Sequence, residues 1–245
     1  MTYTPFFLHG ETRPGPWLIT CDHATNVVPP DVAGGDLGLH RTDMERHIAY
    51  DPGAYGVARE LGVLLDGPVL AANFSRLVID PNRGPDDPTL LMKLYDGSII
   101  PANRHADDIE IERRMDMCYR PYDAELARMT ALPHTVVVSM HSFTRQLRGR
   151  DPRPWDIGVL YAEDDRLARP LITLLQAEGD LCVGDNAPYS GHLPGDAIHR
   201  HATRLGRPNV LIEIRNDLIA DTEGQNHWAR RLAPALKQAL ELSAL

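Results

Sequence analysis

Arg76 and Arg83 stand seven residues apart in Asn73-Phe74-Ser75-Arg76-Leu77-Val78-Ile79-Asp80-Pro81-Asn82-Arg83, with the amide of Asn82 between them. A guanidinium is a planar fork that keeps its charge, so two of them beside an amide suit the capture of a carboxylate and its neighbouring carbonyl. Leu77, Val78 and Ile79 continue an apolar run from Val69 and predict a buried strand, ended by Pro81, which has no N–H for a ladder. Either arginine could instead pair with Asp80, Asp86 or Asp87. Burying both, however, costs free energy unless an anion answers them.

Three further residues sit where apolar runs end or are broken. Trp17-Leu18-Ile19-Thr20-Cys21 delivers Asp22-His23 into a polar loop, and Thr135-Val136-Val137-Val138-Ser139-Met140 delivers His141 in the same way. Glu213 interrupts Val210-Leu211-Ile212-Glu213-Ile214-Arg215, where an ionised carboxylate is expensive without a partner. Two imidazoles and one carboxylate are a common ligand set for a catalytic zinc, which keeps a position open for water and lowers its pKa toward ~7. The carboxylate ligand could be Glu45, although Glu45 also stands three residues after Thr42 at the spacing of a helix capping box. His23 taken alone is equally a hydrogen-bonded turn residue. Glu213 would be the base that moves the water's proton to a leaving amine, with the arginines holding a substrate carboxylate and polarising the scissile carbonyl. No GxSxG elbow, P-loop or dinucleotide fingerprint competes with this chemistry.

The elements that must position these residues alternate strand and helix. Strands are predicted at 17–21, 69–79, 135–140, 157–161, 181–184 and 210–215. Helices are predicted from Thr42 to about Leu65, interrupted near Pro52-Gly53, from Ala106 to about Leu132, bent at Pro121, and over 164–177 and 222–242. Residues 84–104 are expected to form a long ordered loop over the site. The pattern predicts a single α/β domain spanning 1–245, with a mixed, mostly parallel central sheet and helices on both faces. In such sheets ligands bind beyond the carboxyl ends of the strands.

Composition narrows the partners. The 245 residues carry 25 basic against 34 acidic side chains, a formal charge of −9, which excludes nucleic acid or an anionic membrane as the main partner while leaving room for a small anion in a local pocket. The three cysteines have no CxxC spacing and point to no disulfide framework, and no apolar stretch approaches the ~20 residues needed to span a bilayer. A cytoplasmic protein is expected, with homo-oligomerisation left open.

The chain also resembles the N-formylglutamate amidohydrolase family, in the branch known as predicted N-formylglutamate amidohydrolases. The matching motifs are Cys21-Asp22-His23-Ala24, Thr42-Asp43 through His47-Ile48-Ala49-Tyr50-Asp51, Ser75 through Arg83, Arg120-Pro121-Tyr122, His141-Ser142, Arg200-His201 and Leu211-Ile212-Glu213. The resemblance implies a fold similar to zinc carboxypeptidases and aspartoacylases, of phosphorylase/hydrolase-like type, and one bound zinc or other divalent ion. It implies hydrolysis of N-formyl-L-glutamate, or another small N-acyl derivative of an acidic amino acid, in histidine breakdown. Carried over by position, Asn82-Arg83 is the carboxylate clamp, Arg76 the carbonyl polariser and Glu213 the base, with Arg200 and His201 added to the substrate-binding set. Zinc carboxypeptidases take two ligands from an HxxE unit, whereas this chain has His23-Ala24-Thr25-Asn26. Gapless alignment with a His of the better-known members implies Glu45 as the third ligand, with His47 as its rival. A metal-free carboxylate-binding protein is the alternative that Asn26 suggests. Asp80-Pro81 stands where a Leu is usual.

Overall fold

Among the described residues nine strands follow in chain order: β1 (Phe6–His9), β2 (Trp17–Cys21), β3 (Val69–Ala72), β4 (Leu94–Tyr95), β5 (Ser98–Ile99), β6 (Val136–Phe143), β7 (Ile157–Leu160), β8 (Val183–Asp185) and β9 (Asn209–Arg215). The helices are α1 (Arg41–Met44), α2 (Ala54–Leu64), α3 (Asp108–Arg114), α4 (Arg120–Thr130), α5 (Ala168–Ala177), α6 (Ala197–His201) and α7 (Thr222–Leu242). The computed structural model describes residues 3–133 and 135–243. It arranges seven strands in the order β1-β3-β2-β6-β9-β7-β8, with β4 and β5 forming a separate hairpin. The sheet is mixed and mostly parallel: β1 is antiparallel to β3 and β7 to β9, and the other pairs are parallel.

Side-chain alternation explains the layers. Val136, Val138 and Met140 of β6 and Val210, Ile212 and Ile214 of β9 pack with α2, α5 and α7 on one face. The opposite residues, Val137 and Leu211, turn to the other face, where Leu18 and Leu70 meet α3 and α4 and where Ile198 of α6 packs. Ser139, His141 and Glu213 share this second face through the same alternation, and His141 is paired directly with Glu213 across the β6–β9 ladder.

Several local expectations need correction. The strand from Val69 stops at Ala72. Residues 76–78 form a turn, the backbone of Ser75, Arg76 and Val78 bonds to Val27, Ala49 and Ser75, and Leu77, Val78 and Ile79 are buried in the second core cluster. Arg76 and Arg83 are thus carried by turns and not by a strand end. No continuous helix runs from Thr42. His40 caps the four-residue α1 by accepting from Thr42 N, and α2 starts only after Gly53. Gly53 has φ +81° and lies against Ile219, whose carbonyl oxygen would be 2.2 Å from an added Cβ. Only glycine fits that turn. Pro121 does not bend one helix; the π-helical turn Met115–Tyr119 joins α3 to α4 just before it, so its missing N–H falls at a helix start. The 84–104 loop contains the β4–β5 hairpin, and β6 runs on to Phe143, which places His141 inside the strand. The short edge strand β1 has no counterpart in the predicted elements.

Candidate active site

The two strand-borne histidines meet because β2 and β6 are parallel neighbours. His23 follows β2 by two residues and His141 lies in β6, so their rings stand 5.0 Å apart, edge to face. Asp51 reaches them from the turn ahead of α2, where its backbone N–H donates to His23 O at 2.9 Å. Asp51 Oδ2 lies 2.8 Å from His141 Nδ1 and 3.3 Å from His23 Nδ1. The remaining ring nitrogens are held from behind. His23 Nε2 is 2.7 Å from Asp80 Oδ1, and His141 Nε2 is 3.0 Å from Ser139 Oγ. One ligand atom each from His23, Asp51 and His141 lies within 4.8 Å of the others, and all three residues are buried. Two imidazoles whose far nitrogens are pinned by oxygen acceptors, together with a carboxylate, are the donor set and outer support a zinc site uses.

Charge points the same way. Asp22, Asp51 and Asp80 are all buried around this cluster, answered mainly by Arg76 and the two imidazoles. Burial alone would raise the Asp51 carboxyl, yet His23 and His141 hold it well below the carboxylate range. Burial would likewise lower His141, but Asp22 and Asp51 raise it. Glu213 is pushed up to about 7, first by burial and then by Asp51 against the pull of His141, and its Oε2 has no hydrogen-bond partner. A buried, anionic cluster beside an orphaned carboxylate oxygen is a place where a divalent cation fits.

The cluster opens into a cavity of about 280 Å³. Glu213, Arg76, Asn82, Arg83 and His47 all line it. Arg76 is already engaged: its guanidinium holds Asp80 Oδ2 from Nη2 at 2.9 Å and Nε at 3.2 Å, reaches Asp51 Oδ1 at 3.5 Å and lies over the Tyr95 ring. Arg83 donates to Thr89 Oγ1 at 3.0 Å and Asn82 O at 2.8 Å. Asn82 Oδ1 accepts from Ala197 N at 3.0 Å, tying the Asn82-Arg83 turn to α6.

Other expected site residues lie elsewhere. Glu45 is on the surface, its side chain 52 % exposed and paired with Arg41, so it does not join the histidines; a four-residue helix ends just before it and turns it outward. His47 faces the cavity but is not part of the three-residue cluster. Asn26 donates to Met44 O at 2.8 Å and braces the backbone. Arg200 and His201 do not line the cavity. The Arg200 N–H groups go to Asp123 and to the carbonyls of Pro81, Arg83 and Gly195, and His201 Nε2 is 2.6 Å from Asp123. They support the Asn82-Arg83 turn from behind. Asp51, Asp80 as a histidine partner, and the cavity residues Tyr95, Tyr189 and Asp196 are not marked by strand or helix periodicity. Asp51 did carry a signal: it is an acid directly ahead of Pro52-Gly53 and closes the motif that starts at His47.

Comparison with known proteins points to one family. The family model described as N-formylglutamate amidohydrolase matches residues 15–220. Among solved structures, gene product Atu2144 from Agrobacterium tumefaciens is similar at TM-score 0.89 and 35% identity, over 98% of this chain and 96% of that one. N-formylglutamate amidohydrolase from Ralstonia eutropha JMP134 is similar at TM-score 0.63 and 22% identity, over 97% of this chain and 98% of that one, a likeness of fold. No curated protein matches the chain.

Proposed function

From the premise that the chain belongs to the N-formylglutamate amidohydrolase family, we propose that it is a metal-dependent hydrolase of a linear amide, releasing formate or another small acid from an N-acyl amino acid. The observation that carries this reading is the buried His23–Asp51–His141 cluster one ladder step from an unpartnered Glu213, at the base of a cavity that also holds Arg83. His23, Asp51 and His141 would hold one divalent ion, zinc by its donor set, which supplies Lewis acidity and a water of lowered pKa.

The protein's own groups do the rest. Asp80 and Ser139 fix the two rings so that both Nδ1 atoms face the same point. Asn82 and Arg83 hold the substrate carboxylate, and Arg76, clamped by Asp80 and Asp51, offers positive charge to the scissile carbonyl. Glu213 Oε2 takes a proton from the attacking water and returns it to the amine as the C–N bond breaks. With N-formyl-L-glutamate the products are formate and glutamate, the reaction of histidine breakdown. Described residues include no helix long and apolar enough to cross a membrane, and the three cysteines are unpaired, which supports a reducing, cytoplasmic setting.

The test is metal analysis of protein purified without chelator, followed by amine release from a panel of N-formyl and N-acetyl amino acids. About one zinc per chain, with release abolished in His141→Ala, is expected. A metal-free protein with no release from any compound would overturn the proposal.

A further inference from the structure

Part of the cavity wall beside the Asn82-Arg83 turn is apolar. Leu160 and Leu211 are cross-strand partners on β7 and β9, both pack on Ile198 of α6, and together with Leu193 they line the cavity. The turn and this wall are joined through Ala197, which donates to Asn82. Among the described residues lining the cavity, Arg76 and Arg83 are the arginines and there is no lysine. Arg76 is spent on Asp80 and Asp51, whereas Arg83 makes no ion pair among the described residues. Asp196 and Glu213 are buried acids of the same wall. Besides polar groups such as His47, Asn82 and Tyr189, a ligand with two carboxylates would therefore meet one uncommitted guanidinium, two acids and a leucine surface. Burying a carboxylate without a partner cation is strongly unfavourable, while burying a branched or aromatic side chain there is favourable.

Resting on the amide-hydrolase reading, we propose that the amino-acid half of the substrate carries a single carboxylate, held by Arg83, and an apolar side chain of leucine or phenylalanine size seated on Leu160, Leu193 and Leu211. The site then selects N-acyl derivatives of neutral, apolar amino acids over those of glutamate.

Two measurements test this, one of them independent of catalysis. Calorimetry on the metal-free protein should show L-leucine binding about tenfold or more tightly than L-glutamate, and kcat/KM of the zinc-loaded enzyme should favour N-formyl-L-leucine over N-formyl-L-glutamate by a similar factor. Leu193→Lys, which adds a second cation to the wall from a loop, should shift both ratios toward glutamate by about tenfold. Glutamate binding as tightly as leucine, binding of neither amino acid, or unchanged ratios in the folded variant would each overturn the assignment. Selective leucine binding without hydrolysis of either formyl compound would leave the assignment standing and sink the hydrolase reading instead.

Discussion

Asp51 meets more partners than any other side chain of the cluster: the Nδ1 atoms of His23 and His141, the Ser142 N–H and Arg76 Nη1 all point at its carboxylate. Asp51→Asn should therefore lower bound zinc by about tenfold or more, measured by mass spectrometry of dialysed protein, whereas Glu45→Gln should retain it. Equal zinc in both would remove Asp51 from the ligand set. Glu213→Gln should keep the metal and cut kcat by about 10²–10⁴ with little change in KM. Glu213 also gives the metal-free protein a pH signature. Its carboxyl is raised from 4.5 to about 7 in the folded state, so the native state binds this proton more tightly than the unfolded chain does. Its contribution to stability is full below about pH 4.5 and is lost as pH rises through about 7, and Glu213→Gln should flatten that fall in urea titrations. His23, His141 and Glu213 were legible because each is polar chemistry set against a long apolar strand. Asp51 was legible only as the end of the His47 motif, since it sits between α1 and α2 where no periodicity frames it.

At the scale of elements, two devices place the site. The turn at Gly53 sets Asp51, and an added Cβ there would strike the Ile219 carbonyl at a φ of +81°. Gly53→Ala should destabilise the protein by about 1–3 kcal/mol, read as a lowered Tm, and weaken zinc binding with it. The second device is Arg200 in α6, which gathers the carbonyls of Pro81, Arg83 and Gly195. A lysine cannot reproduce that planar fork, so Arg200→Lys should raise KM severalfold while leaving kcat nearly unchanged; a kcat loss with constant KM would contradict the bracing role. The long elements were readable from their period: α7 spans Thr222–Leu242, as the apolar spacing predicts, and β2 spans the predicted Trp17–Cys21. What the pattern could not convey was that Leu77, Val78 and Ile79 bury themselves from turns. Apolar composition reports burial, and only hydrogen-bond partners distinguish strand from turn.

For the whole molecule, the residues that would hold a metal are His23, Asp51 and His141, so a bound ion would cross-link segments that are far apart in the chain. Chelation should lower Tm, and zinc at a hundredfold excess over its Kd should restore about 2.7 kcal/mol of stability in thermal melts, an effect lost in His141→Ala. The sheet class was foreseeable from alternating strands and helices. The antiparallel β1 edge and the β7–β9 reversal were not, because strand pairing is a long-range choice that local sequence does not encode. One feature of that sheet reaches beyond this chain's present chemistry. His141 and Glu213 face each other across parallel strands, so the gap between them is the interstrand spacing of about 4.8 Å, a length belonging to the peptide and not to any side chain. Selection in nature or the laboratory is free to repaint the leucines and redraw the loop that carries Leu193 in search of new substrates, while the yardstick of the reaction stays fixed. A single residue inserted into β6 just ahead of His141 would do the reverse, silencing the enzyme with its leucine surface intact.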